Sequence, residues 1–197
     1  MITLYHRPKT RSTRFLWLLE ELGAPYTIQE VVTRTREGGA PDPANPHPHG
    51  KVPAISDDGE VVFESPAIAL YLTDKFPKSG LGPVVGDKTR GAYVTWLAYY
   101  AGVLEPAFIS KFTNAAVPRP MAGWVEVEEA MAYIDDTLSK GPYLLGEAFS
   151  AADVLYGTTF AMFGQSPMMP KLPRVIDYAK RVTERPAHAR AAAKSAA

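Results

Sequence analysis

Glu64, Ser65 and Pro66 are the residues whose order most directly suggests chemistry. Ser65 can cap a helix, and Pro66 fits its first turn because it gives up an amide hydrogen that would have no partner there. A helix start presents free amides that attract a carboxylate, and the Glu64 side chain can pair with an ammonium. A small molecule carrying both groups would suit the pair. His47 and His49 invite a metal reading, but two histidines in a proline-rich loop without a third ligand fall short of a zinc site, so no metal is expected. Ser150 with Asp153 three residues on, preceded by Phe149, reads as a capping box with a hydrophobic staple, a folding device rather than a catalytic one. The chain has no cysteine. Disulfides, thiolate metal sites and a protein cysteine nucleophile are excluded, so any sulfur chemistry must use a ligand's own thiol.

The elements that hold these residues follow from punctuation and periodicity. Residues 2–5 read as a strand, 6–9 as a loop, and about 12–22 as a helix ended by Gly23, with Phe15, Leu16, Leu18, Leu19 and Leu22 on its apolar side and Arg14, Glu20 and Glu21 on its wet side. Residues 27–32 read as a second strand, making a βαβ unit with a parallel pair and a right-handed crossover. Residues 52–56 and 60–63 are rich in β-branched side chains and flank Asp57, Asp58 and Gly59, a tight antiparallel hairpin that makes the sheet mixed. Four prolines with Gly38 and Gly39 make 33–50 largely irregular. A Gly- and Pro-rich stretch at 78–88 reads as a linker. Beyond it there are no strand signals, and helices are expected at about 89–112, 121–138, 151–163 and 172–184, with an Ala-rich frayed end after Arg190.

With 197 residues and 46% hydrophobic content, the chain suits one large domain or two small ones. Lys plus Arg equal Asp plus Glu at 21 each, so no overall field recruits nucleic acid. No apolar run approaches the roughly 18 residues of a membrane span, and no apolar signal region opens the chain, so cytoplasmic residence is expected.

Four segments carry a resemblance: LYHRPKTRSTRFLWLLEELGAPY at 4–26, HPHGKVPAI at 47–55, VVFESPAIALYLTDKF at 61–76 and PYLLGEAFSAADV at 142–154. Together, in this order, they resemble the cytosolic glutathione S-transferases, of a bacterial, serine- or threonine-like rather than cysteine-type active site. The resemblance implies an α/β plus all-α architecture. A thioredoxin-like βαβαββα domain with a mixed sheet would bind glutathione at 1–77, and an all-helical domain at 89–197 would contribute the electrophile pocket between the two. It implies that Val52 pairs strand-like with the cysteinyl unit, that Pro53 is cis, and that Glu64 and Ser65 take the γ-glutamyl group. Lys51 could reach the glycine carboxylate with help from His49, although simple solvation also explains both. Thr10 aligns with the catalytic hydroxyl, Ser12 is next in line, and Tyr5 matches the family's strand tyrosine. Thr10 also fits an N-cap, and Tyr5 also fits core or wall packing.

Trp96, Tyr99, Tyr100, Phe108 and Phe112, with Met162, Met168 and Met169, are pocket candidates that equally suit a core. The expected activity is stabilisation of the glutathione thiolate and its conjugation to a small hydrophobic electrophile by a homodimer, without membrane or nucleic acid. The alternatives are a non-catalytic glutathione-binding protein of the same fold, or peroxide or disulfide reduction by two ligand thiols.

Overall fold

Among the described residues four strands and eight α-helices follow one another as β1 (Ile2–His6), α1 (Thr13–Leu22), β2 (Tyr26–Glu30), β3 (Ala54–Asp57), β4 (Glu60–Phe63), α2 (Ser65–Lys75), α3 (Arg90–Tyr99), α4 (Glu105–Thr113), α5 (Val127–Leu138), α6 (Ala151–Phe163), α7 (Pro173–Thr183) and α8 (Pro186–Ala196). The computed structural model describes residues 1–33, 40, 42–164, 166–167 and 169–196. Two units divide it: Met1–Ser79 with Arg185–Ala197, and Gly80–Glu184. The cut falls inside the stretch read as a linker.

In the first unit the sheet order is β2-β1-β3-β4, with β1 parallel to β2 and antiparallel to β3, and β3 antiparallel to β4. This is the mixed thioredoxin-like sheet. The second helix of that order would fall within 33–50, of which 34–39 and 41 lie outside the described residues. β1 runs one residue further than the sequence suggests: Ile2, Leu4 and His6 alternate on its buried side, so His6 is a strand residue, not a loop residue. β2 ends two residues earlier than expected, at Glu30. β3 starts at Ala54 because Pro53 has no N–H for the ladder, and it takes in Asp57, which pairs with Glu60. The turn is therefore two residues, Asp58 at φ 48° and Gly59 at φ 96°, the left-handed pair a tight hairpin requires.

On α1, Phe15, Leu16, Leu18 and Leu19 are wholly buried, each worth about 1.5–3 kcal/mol of burial. The wet side is a correction. Arg14 is buried, and Glu20 and Glu21 face α8, where Arg185 grips Glu21 through two bonds of 2.6 and 2.8 Å while Arg190 and Lys194 reach Glu20 at 2.9 and 2.5 Å. The tail read as frayed is thus a helix packed on α1. It leaves the helical unit for the first one, so the expected domain at 89–197 does not hold its last 13 residues.

The second unit is all helical. Its long first helix is interrupted by a π-helical turn at Tyr100–Leu104. Pro106 has no N–H to give, and the Glu105 N–H reaches back five residues to the Tyr100 carbonyl. α5 begins at Val127 rather than near 121, because 118–122 form a turn around Pro118 and Pro120. At α6 the capping box is present. The buried Asp153 carboxylate accepts from the Ser150 amide and hydroxyl at 2.8 and 2.9 Å, from the Leu144 amide at 3.0 Å and from Tyr178 at 2.9 Å. Burial pushes its pKa up and these donors oppose the rise. Trp96 and Tyr100 are core, Tyr99 and Phe108 half-buried, Phe112 and Met162 exposed and Met169 buried, while Met168 lies outside the described residues. Among the described residues no helix is long and apolar enough to cross a membrane.

Candidate functional site

Strand register brings the candidate residues of the first unit to one end of the sheet. Tyr5 pairs with Ala54, and Ala54 pairs with Phe63. The segment leaving β1 (His6 to Ser12), the one entering β3 (Lys51 to Pro53) and the one leaving β4 (Glu64 and Ser65) therefore emerge side by side. At about 4.8 Å between strands, β1 and β4 are about 10 Å apart, close to the length of three extended residues.

At the β1 corner the hydroxyls are crowded. Thr10 Oγ1 donates to the Arg7 carbonyl at 2.6 Å and lies 2.8 Å from Ser12 Oγ. Ser12 Oγ also accepts from the Arg7 amide at 3.1 Å, lies 3.1 Å from the Arg7 carbonyl and 2.8 Å from His6 Nδ1. Ser12 is 0% exposed, whereas Thr10 is half-buried and keeps surface for a ligand. Ser12, not Thr10, stands at the N-cap position of α1, and its side chain makes no capping bond. The Thr10 hydroxyl, two residues earlier, donates to the Arg7 carbonyl and also accepts the Ser12 amide at 3.3 Å, a capping-type bond that precedes the helix proper. Tyr5 projects from the opposite face of β1 to His6, with its hydroxyl 3.3 Å from Ser56 Oγ.

At the β3 and β4 corners the Val52–Pro53 bond is cis. Val52 is half-buried, Pro53 buried, and Lys51 and His49 exposed. Glu64, not Ser65, occupies the N-cap position of α2, with φ 72° and no side-chain cap bond. A left-handed glutamate is costly unless the surroundings hold it. Here the Glu64 carboxylate is turned outward at 67% exposure, and the carbonyl still accepts from the Ile68 amide at 3.0 Å. Ser65 is buried in the first turn, where the amides of Ser65 and Ala67 have no partner within the helix.

Sequence reasoning overlooked His6 and undervalued His47. His47 is buried, packs its ring 5.1 Å from that of Phe63, accepts the His49 amide on Nδ1 at 3.1 Å, and points Nε2 at Glu64, 3.9 Å away. A backbone N–H can only donate, so the proton of the neutral ring sits on Nε2. Burial lowers its pKa, partly countered by Glu64. Asn45 braces this loop, accepting from the His47 amide at 3.0 Å and donating to the Lys51 carbonyl at 3.1 Å. Among the described residues no group of three His, Cys, Asp or Glu could hold a metal ion.

Comparison with known proteins gives this geometry a family. Residues 10–75 match the family described as Glutathione S-transferase, N-terminal domain, and residues 114–181 match Glutathione S-transferase, C-terminal domain. Glutathione S-transferase 3 of Schizosaccharomyces pombe is 30% identical over 78% of this chain and 70% of its own length. The disulfide-bond oxidoreductase YfcG of Escherichia coli is 29% identical over 99% of this chain and 96% of its own length. A sphingomonad glutathione S-transferase, solved in complex with glutathione, superposes with a TM-score of 0.76 at 29% identity over 98% of each chain. Two matched domains in order, in a chain with a mixed thioredoxin-like sheet and a helical unit, place this protein in the glutathione S-transferase family.

Proposed function

We propose that the protein binds reduced glutathione along the sheet end, stabilises its thiolate beside Thr10 and adds it to a small hydrophobic electrophile. The observation that carries this reading is the convergence of Thr10, Val52, Glu64 and Ser65 on one edge. In it, the Val52 backbone pairs with the cysteinyl unit, the Ser65 end of α2 takes the γ-glutamyl carboxylate, Glu64 takes the ammonium, and Lys51 with His49 meets the glycine carboxylate. Ser12 supports Thr10 from beneath rather than touching sulfur, and Tyr5 forms wall. Lowering a thiol pKa from about 8.5 by two units needs about 2.7 kcal/mol. One hydrogen bond to a charged acceptor, about 1.5–3 kcal/mol, and the start of α1, about 0.3–1 kcal/mol, sum to about 1.8–4 kcal/mol, a range that brackets this requirement.

The test is the ultraviolet thiolate absorbance of bound glutathione against pH, in a protein with no cysteine signal of its own. A midpoint well below that of free glutathione is expected. An unshifted midpoint would favour the non-catalytic binding role, and no binding would overturn the site. The similarity to YfcG favours a second reading, reduction of a disulfide by two glutathione thiols with release of oxidised glutathione, which requires no protein cysteine. Turnover of a disulfide against an aromatic halide separates the two. The working unit in either reading is a homodimer, which sedimentation would check.

A further inference from the structure

His6 is a buried polar residue of the first unit, next to the thiol corner, that the reading above leaves without a task. Its ring links two hydroxyls, Ser12 Oγ at 2.8 Å from Nδ1 and Ser195 Oγ at 3.1 Å from Nε2. Ser12 in turn lies 2.8 Å from Thr10 Oγ1. We propose that His6 is a positioning residue of the thiol site: with Ser195 of α8 fixing its tautomer, it acts through Ser12 to keep the Thr10 proton free for the ligand's sulfur. The proposal rests on Thr10 being the thiol's partner.

The argument is a count of protons. Ser12 Oγ has one proton and two lone pairs, and the Arg7 amide fills one lone pair. When the His6 proton is on Nδ1 it fills the other, so Thr10 cannot donate to Ser12. The Thr10 proton then rests on the Arg7 carbonyl, its 2.6 Å partner, and can turn to sulfur. When it turns, the Ser12 hydroxyl, 3.1 Å from the same carbonyl, replaces it, and every group stays paired. When the proton is on Nε2, Nδ1 draws the Ser12 proton instead. Ser12 then offers a lone pair to Thr10, whose proton turns inward, and the Arg7 carbonyl has no substitute donor. The Ser195 hydroxyl, 3.1 Å from Nε2, could give or take a proton there; in the donor role proposed for it, it selects the first arrangement. Ser195 is held there by its neighbour Lys194, which Glu20 binds at 2.5 Å. Burial keeps the ring neutral by lowering its pKa, with Glu30 acting in the opposite sense.

The experiment compares the bound-thiolate midpoint, kcat and the KM for glutathione in wild type, His6→Phe, His6→Asn and Ser195→Ala. The Asn amide can donate from the place of Nδ1, whereas Phe keeps ring shape without a donor. His6→Phe is expected to raise the midpoint and cut kcat about tenfold, the worth of one hydrogen bond to a charged acceptor, with KM within about twofold. His6→Asn is expected to restore the midpoint, and Ser195→Ala to raise it part of the way. A packing role predicts the reverse order, Phe tolerated and Asn not, and would overturn the proposal. So would a midpoint unmoved in both His6→Phe and Ser195→Ala, which would leave the glutathione reading intact. An unshifted midpoint in wild type would overturn the Thr10 reading and this one together. If the His6 variants do not fold, Ser195→Ala alone decides, because it removes one hydroxyl near the chain end.

Discussion

The two halves of the proposed glutathione site are built in opposite ways. Around Thr10 the polar atoms are crowded and paired: Ser12 alone has four polar neighbours within 3.1 Å. Around Glu64 they are open, with the carboxylate 67% exposed and, among the described residues, its nearest cation, if His47 is protonated, at 3.9 Å. A crowded corner fixes where one proton goes, and an open corner leaves charge unspent for a ligand. The first arrangement suits rate and the second affinity, so substitutions should divide between kcat and KM according to the corner they strike.

The largest test is Thr10→Ala. Loss of the hydroxyl should lower kcat about 10- to 100-fold, matching about 1.5–3 kcal/mol for a hydrogen bond to a thiolate, and should leave the KM for glutathione nearly unchanged. Equal loss in both parameters would break the division. Glu64→Ala should do the converse, raising KM about tenfold with kcat within about twofold, because the group lost meets the ammonium and not the sulfur. Steady-state kinetics with glutathione varied at saturating electrophile reads both.

A smaller effect ties α8 to the crowded corner. Burial alone would raise the Glu20 pKa, but the bonds from Lys194, Tyr26 and Arg190 outweigh it and hold it at about 2, below the ordinary 4.5. The unfolded chain therefore binds this proton first as the pH falls. The stabilisation is fully present above pH 4.5 and is lost progressively as the pH drops towards 2. Hydrogen exchange at pH 3 against pH 6 should find α8 opening at the lower pH, and Glu20→Gln should flatten that difference.

The hairpin and α1 were legible because β-branched runs, turn residues and a 3.6-residue apolar period are local signals. α8 was not, since its attachment depends on Arg185, Arg190 and Lys194 meeting Glu20 and Glu21 across more than 160 residues of chain. No window contains both partners, and an Ala-rich helix shows a weak apolar stripe. His6 could have been found: Ile2, Leu4 and His6 follow the period of two, and one further step of that alternation buries the ring. Glu64 at the N-cap could not, because nothing in a glutamate announces a positive φ. The family segments pointed to Glu64 and Ser65, and the strand register brings those residues to the same end of the sheet as Thr10.

His47 gives the smallest expected effect and the finest test of the open corner. Two forces keep it neutral: burial lowers its pKa below 6.5, and its Nδ1 is already taken as an acceptor by the His49 amide. At pH 7 it therefore presents Glu64 with a polar N–H at 3.9 Å rather than a cation, and it competes weakly with a ligand's ammonium. His47→Gln should change the KM for glutathione by less than about threefold at pH 7, the scale of a weak exposed interaction. As the pH falls through the lowered pKa of His47, the two proteins should diverge. Protonation places a charge beside Glu64 in the wild type and raises KM as the pH falls, whereas the Gln variant lacks that competitor. Parallel KM curves over a pH range in which NMR shows His47 becoming protonated would mean that Glu64 does not meet an ammonium, and the division between a rate corner and an affinity corner would lose its second half.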